Sequence, residues 1–301
     1  METWTIAKLL DWTTAYFKTY KIETPHLEAE ILLAHALKLK RIELYTGHER
    51  ILNQNELNHF KTLIQRRSKH EPLAYITGFQ PFMSLDIFVD RSVLIPRPET
   101  EKLVEVAIDT IKSISRRSDS QSDQTGEAKS LAYAAYTIAD IGTGSGAIAI
   151  SLAKYLPDII IIGIDSSDAA LKVANKNSNL HNVENRCQFR HGYLLEPLTE
   201  KVDLIVANPP YIPSEVIATL QPEVKDWEPH SALDGGKDGL NFINQLLEKS
   251  PLHLKAQGFL IMEIGFDQAE KVKEKALNHF QTIKIIKDYS GKDRIFLGQI
   301  A

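Results

Sequence analysis

The chain has a single cysteine, Cys187, among 301 residues. It therefore has no intramolecular disulfide framework, and such usage fits a reducing compartment. No run reaches the about 18 consecutive apolar residues that a membrane-spanning helix requires. The opening residues, Met1-Glu2-Thr3-Trp4, carry no basic flank with an apolar stretch behind it, so no secretory leader is expected. The expected location is the cytoplasm. A cationic excess is also missing, because 35 Lys and Arg stand against 39 Asp and Glu, a net charge of −4. A protein that coats phosphate backbones needs the opposite balance. The ten histidines form no His-x-x-x-His pair and there is no cysteine cluster, so no metal site is expected. The pattern Gly-x-x-x-x-Gly-Lys-Ser/Thr does not occur, which excludes a P-loop.

What remains is an ordinary globular composition, 43% hydrophobic and 25% charged. At about 150 residues per domain, the length suggests two domains. Residues 1–74 read as helical. Ile6, Leu9, Leu10, Thr13 and Phe17 recur at helical spacing, and Thr24-Pro25 looks like an N-cap followed by a first-turn proline. A third helix is expected from Asn55 to Ser68. Residues 75–95 mix aromatic and β-branched side chains and read as a linking hairpin. From residue 96 to 301 a second domain is expected. Pro96 and Pro98 hold their predecessors extended, and a helix then runs from about Glu99 to Ile111. The stretch 112–130 has almost no large apolar side chain and reads as a flexible insertion. Beyond it, strands and helices alternate. Strands are expected at Thr137–Asp140, Ile159–Asp165, Cys187–Arg190, Leu204–Ala207 and Phe259–Ile264, with an antiparallel edge from Thr282–Ile286 and Arg294–Leu297. That alternation predicts a doubly wound, Rossmann-like α/β domain.

Asp140-Ile141-Gly142-Thr143-Gly144-Ser145-Gly146 falls where a strand gives way to a helix. Glycine there lets the backbone approach a ligand closely, and free amides at the helix start favour a polar group. Gly142-x-Gly144-x-x-Ala147 also fits a dinucleotide fingerprint. Asp165, at the end of the next strand, can accept both ribose hydroxyls of an adenosine. These residues alone suit NAD and S-adenosylmethionine equally. Asn208-Pro209-Pro210-Tyr211, after the fourth strand, narrows the choice. A planar amide or arylamine nitrogen is a poor nucleophile, so it must be aimed at a methyl group while its developing charge is stabilised. The Asn208 side-chain oxygen and the Pro209 carbonyl can accept its two N–H hydrogens. Consecutive prolines stiffen the loop, and Tyr211 offers a flat face for a planar group.

The chain resembles the release factor glutamine methyltransferases of the HemK type. The resemblance rests on Leu94-Ile95-Pro96-Arg97-Pro98-Glu99-Thr100-Glu101, on Asp140 to Gly146, and on Asn208 to Tyr211. It continues through Glu228 to Gly236, Asp238-Gly239-Leu240, Glu263-Ile264-Gly265 and Asp293-Arg294. It implies methyl transfer from S-adenosylmethionine to the glutamine amide in the Gly-Gly-Gln loop of class one peptide chain release factors. It implies a helical N-terminal domain that docks that protein substrate; from charge and hydropathy, neither nucleic acid nor membrane is expected as a direct partner. By resemblance, Gly142, Thr143, Gly144, Ser145, Gly146, Asp165, Tyr193 and Asn208 bind the cofactor. Asn208, Pro209, Pro210 and Tyr211 hold the glutamine, with Asn208, Pro209 and Tyr211 as the catalytic set. Arg97 and Glu99 either line the crevice or belong to a proline turn. One departure concerns His191-Gly192-Tyr193, where the family usually has an acid at the place of Gly192; either a backbone amide takes over the carboxylate's role or cofactor affinity is lower.

The main alternative is an amino-methyltransferase acting on adenine or cytosine in nucleic acid, which would share the Asn-Pro-Pro-Tyr chemistry. It predicts a basic groove or a target-recognition domain, and the chain shows neither. A nicotinamide-dependent oxidoreductase would leave Asn208 to Tyr211 unexplained. A cofactor-binding module without turnover has only the missing acid at Gly192 in its favour.

Overall fold

The computed structural model describes residues 3–122 and 136–301. The chain divides into two compact units. The first runs to Phe79 and also takes in Gln221–Trp227; the second holds Gln80–Leu220 and Glu228–Ala301.

The first unit contains α1 (Ile6–Thr19), α2 (Pro25–Leu37), α3 (Arg41–Thr46), α4 (Gln54–Arg67) and α5 (Leu73–Thr77), and its returning segment carries α10 (Pro222–Lys225). Local chemistry sets the helix ends. Thr5 Oγ1 accepts from the Lys8 amide, and Asn53 and Glu56 form a reciprocal capping box at the start of α4. Thr24 differs from expectation: its side chain caps no backbone amide, and Pro25 alone opens α2. Phe17, Leu32, Leu33, Leu44 and Phe60 form the core of the unit. A polar cluster sits beside it. The buried Arg67 guanidinium donates to both carboxylate oxygens of Glu28 and, at 3.0 Å, to Glu223 of the returning segment. Glu223 is also 2.9 Å from His70 Nδ1, and Gln221 Nε2 donates to Glu23 at 2.9 Å. No expected element corresponds to this segment, to α3 or to α5.

The linking hairpin is shorter than the expected 75–95. Its strands are β1 (Phe79–Phe82) and β2 (Leu85–Phe88), whereas Tyr75 and Ile76 belong to α5. Met83 and Ser84 both take positive φ, which suits a tight two-residue turn between right-twisted strands.

The second unit continues with α6 (Pro98–Ser122), β3 (Tyr136–Ile141), α7 (Ala147–Tyr155), β4 (Ile159–Asp165), α8 (Asp168–Leu180), β5 (Cys187–His191), β6 (Val202–Ala207) and α9 (Ser214–Ile217). After the returning segment come α11 (Asn241–His253), β7 (Leu254–Glu263), α12 (Ala269–Ala276), β8 (Thr282–Lys287) and β9 (Asp293–Gln299). The helix expected to stop near Ile111 continues to Ser122, so a flexible insertion from residue 112 is corrected over that part. Lys112 to Ser122 contains no proline or glycine to end the helix, and Leu103, Val104, Ala107 and Ile111 already anchor it. The rest of the expected insertion, 123–130, lies outside the described residues.

The seven-stranded sheet has the order β5-β4-β3-β6-β7-β9-β8, and β9 alone runs against the others. Ile159, Ile161, Ile162 and Ile164 of β4 are all buried, as expected for a parallel strand covered on both faces. The doubly wound α/β architecture is therefore present, and the expected antiparallel edge is formed by β8 and β9. The strand order reverses between β3 and β6. In open parallel sheets, ligands bind beyond the carboxyl ends of strands at such a reversal. The glycine turn leaves β3 there, and Asn208 leaves β6 there.

Candidate active site

A cleft of about 420 Å³ lies at this reversal, lined by Gly142, Gly144, Asp165, Tyr193, Asn208 and Pro209, among others. Pro210 also borders it, as do Phe242 and the Arg91–Leu94 segment. Thr143, Ser145 and Gly146 do not face the cleft and instead build the turn. The buried Thr143 hydroxyl donates to Asp140 Oδ2 at 2.7 Å, the Ser145 carbonyl accepts from Asn177 Nδ2 at 2.9 Å, and Gly146 caps α7 with φ +78°. Gly142 and Gly144 also take positive φ, and a Cβ on Gly142 would meet no atom within 4 Å. Glycine at 142 therefore serves the backbone turn and its open approach rather than close packing.

Asp140 organises the turn from beneath. Its Oδ2 accepts from Thr143 and from the Ala149 amide, while its fully buried Oδ1 has no hydrogen-bond partner among the described residues. Burial raises its pKa from 3.8 to about 7; the two hydrogen bonds oppose that rise, and the nearby Asp165 charge adds to it. Asp165, at the end of β4, accepts from the Gly144 amide through Oδ2 and from the Ser167 amide through Oδ1, each at 2.9 Å. Each carboxylate oxygen keeps a further lone pair.

Gly192 follows β5. A Cβ there would lie 2.3 Å from Cγ of Pro197, so no side chain fits without moving the proline ring. This gives the missing acid a steric reason. The Gly192 amide is not available to replace a carboxylate either, because it donates to the Asp165 carbonyl at 3.0 Å. Tyr193 beside it lines the cleft. Its ring lies 6.2 Å from that of Phe242, and its hydroxyl accepts from Gln245.

After β6, Asn208 Nδ2 donates to Thr100 Oγ1 at 3.1 Å, and Thr100 Oγ1 donates to Glu263 Oε2 at 2.7 Å. Tyr211 does not line the cleft. Its hydroxyl donates to Glu263 Oε1 at 2.9 Å, and burial raises its pKa, with the Glu263 charge adding to the effect. Glu263 is 1% exposed. Burial raises its carboxyl above the ordinary range, while Thr100, Tyr211 and Arg294 favour the ionised form. Arg294 donates to the Ile264 carbonyl and approaches the Tyr211 hydroxyl at 3.5 Å, with Asp288 3.3 Å from its Nε. The tetrapeptide backbone is clamped from the other side. Gln268 Nε2 donates to the Tyr211 carbonyl at 3.0 Å, and a Cβ on Gly239 would lie 2.2 Å from that oxygen.

Neither Arg97 nor Glu99 is among the residues lining the cleft. Arg97 pairs with the buried Glu228, whose other oxygen accepts from the Ile95 amide at 3.2 Å. Arg97 is thus engaged in a hydrogen-bonded turn with Glu228. Thr100, Glu263 and Phe242 are site residues that the sequence pattern does not single out. The first two lie within the 94–101 and 263–265 segments, and Phe242 has no signal beyond its place at a helix start.

A family model described as methyltransferase small domain matches residues 128–220, and one described as PrmC N-terminal domain matches residues 8–78. The hMettl16 catalytic domain, solved in complex with MAT2A 3′UTR hairpin 6, superposes with a TM-score of 0.53 at 15% identity. The match covers 84% of each chain and shows a common fold. The family match and the fold together define a Rossmann-like methyltransferase. A release factor glutamine methyltransferase of Geobacter sulfurreducens is 41% identical over 99% of this chain and 98% of its own length. One of Thermodesulfovibrio yellowstonii is 41% identical over 90% and 91%. The chain belongs to the release factor glutamine methyltransferase family. Among the described residues no group of acidic, histidine or cysteine side chains is arranged to hold a metal ion, and no helix is long and apolar enough to cross a membrane.

Proposed function

We propose that this protein methylates the side-chain amide nitrogen of the glutamine in the Gly-Gly-Gln loop of class one peptide chain release factors, with S-adenosylmethionine as methyl donor. The observation that carries this reading is that Asn208 and Pro209 border the same cleft as Gly142, Gly144 and Asp165. The donor set fits that cofactor. Asp165 has lone pairs left for ribose hydroxyls, Tyr193 and Phe242 provide flat faces for adenine, and Gly142 and Gly144 permit close backbone approach. When bound, S-adenosylmethionine supplies an electrophilic methyl carbon.

The protein's own part is to aim the acceptor. Asn208 Oδ1 and the Pro209 carbonyl accept the two amide hydrogens, turn the nitrogen lone pair toward the methyl carbon and stabilise positive charge as it develops. The alkylated nitrogen is acidic, so a proton leaves without a strong base. The helical region 1–74 docks the release factor, a role supported by family membership and the match over residues 8–78.

The test is mass spectrometry of purified release factors after incubation with the protein and S-adenosylmethionine. The expected result is one added methyl on the loop glutamine. Asn208→Ala should still bind the cofactor by calorimetry, with at most a modest loss because Asn208 also borders its cleft, and should lose turnover. Unchanged mass across several release factors, or labelling of RNA or DNA instead, would overturn the proposal.

A further inference from the structure

We propose that Thr100 and Glu263 are positioning residues that set which end of the Asn208 side-chain amide faces the acceptor. The inference rests on the reading that Asn208 offers an oxygen to the substrate amide. An asparagine side chain is nearly symmetric in shape but not in polarity: one end accepts and the other donates. Turned over, Asn208 would present N–H to N–H and repel the glutamine nitrogen it has to hold.

The hydrogen bonds behind Asn208 remove that ambiguity. An ionised Glu263 is acceptor-only, so it accepts hydrogen bonds from the Tyr211 hydroxyl at Oε1 and the Thr100 hydroxyl at Oε2. A threonine hydroxyl has one proton. Once it is donated to Glu263, Thr100 Oγ1 can only accept from Asn208, and the group able to donate is Nδ2. Among the described residues no donor reaches Asn208 Oδ1, which leaves it for the acceptor. Arg294 supports the carboxylate's charge, and Asp288 holds Arg294 in turn. A carboxylate buried near the end of β7 thus sets the polarity of an amide after β6. The hydroxyl between them comes from a residue 108 positions before Asn208 and 163 before Glu263.

The polarity can be reversed as a test. In Glu263→Gln the amide keeps its oxygen toward Tyr211 and turns Nε2 toward Thr100. The Thr100 proton is then free to point at Asn208, which favours the wrong amide orientation. In Asn208→Asp the Thr100 hydroxyl sits between two carboxylates and can donate to only one. In the double variant the new amide at position 263 donates to Thr100, Thr100 donates to the new carboxylate at position 208, and an oxygen still faces the acceptor. Thr100→Val and Glu263→Gln are each expected to lower kcat roughly ten- to a hundredfold, with cofactor affinity little changed. Thr100→Ser should recover most of the loss. The double variant should turn over at least about tenfold faster than Asn208→Asp alone, a coupling that independent losses cannot give.

A Thr100→Val enzyme as fast as wild type, or a double variant as slow as two independent losses, overturns the inference. A readout that needs no turnover separates it from the functional reading. The Asn208 side-chain ¹⁵N–¹H₂ resonances, assigned through their loss in Asn208→Asp, should shift in Thr100→Val whatever the substrate. Unshifted resonances overturn the positioning role even if release factors are methylated. Shifted resonances in an enzyme that leaves release factors untouched sustain the orienting contact and refute the substrate.

Discussion

Replacing Arg67 by methionine keeps most of the side-chain volume and removes the charge. Glu28, 9% exposed beside Arg67, is then left with the Thr24 hydroxyl at 3.5 Å as a weak remaining partner. Glu223 keeps His70 and is less deeply placed, so the cost falls mainly on Glu28. Stranding one partner of a buried ion pair costs about 3–5 kcal/mol, mostly from the uncompensated charge. The effect can be read separately, because all three tryptophans, Trp4, Trp12 and Trp227, belong to the first unit. Tryptophan fluorescence during urea unfolding therefore reports that unit. With a slope of about 1.5 kcal/mol per molar, its midpoint should fall by about 2–3 M. Arg67→Met/Glu28→Gln should regain most of the loss, since a neutral amide costs far less to bury than a stranded carboxylate. A midpoint change worth under about 1 kcal/mol in Arg67→Met, or no recovery in the pair, would refute the reasoning.

Gly192→Ala forces a methyl to within 2.3 Å of Pro197 Cγ, so it should destabilise the second unit by about 1–3 kcal/mol and weaken cofactor binding through displacement of Tyr193, both readable by calorimetry. Burial pushes the Asp140 carboxyl up from its ordinary 3.8 to about 7 in the folded protein. Between those values the folded protein holds a proton that the unfolded chain has released, so this group makes stability fall as pH rises, by up to about 4 kcal/mol once both are passed. Calorimetric melting at pH 5 and pH 8 should show that decline in the wild type and a smaller one in Asp140→Asn. Burial raises Glu263, with the Thr100 and Tyr211 hydroxyls and Arg294 opposing the rise and Glu99 adding to it. Protonating Glu263 makes it a donor at one oxygen, so kcat should drop as pH falls, and that acid limb should be absent from Glu263→Gln.

The parts legible in the sequence were those with short-range signatures. The isoleucine run of β4, the glycine turn after β3 and the Asn208-Pro209-Pro210 loop each announce themselves within a few residues, and strand order then brings the two loops to one cleft. Tyr211 reads as a flat face for substrate, yet its ring is turned so that the hydroxyl meets Glu263, a contact 52 residues away with no periodic signature. Thr100 was hidden for the same reason: as a helix-start threonine after Pro98 it has a sufficient local explanation. Low apolarity misled at residues 112–122, where a helix already anchored upstream needs no further core residues to continue. The return of residues 221–227 to the first unit left no trace either, because a short polar turn of helix looks the same in whichever unit it packs.

That return has a consequence for synthesis. Residues 1–79 leave the ribosome first, but 227 of 301 residues must be translated before the returning segment is complete. The nascent helical piece can pair Arg67 with Glu28 from the outset and must await Glu223. A fragment excised at the hairpin would remain in that waiting state permanently.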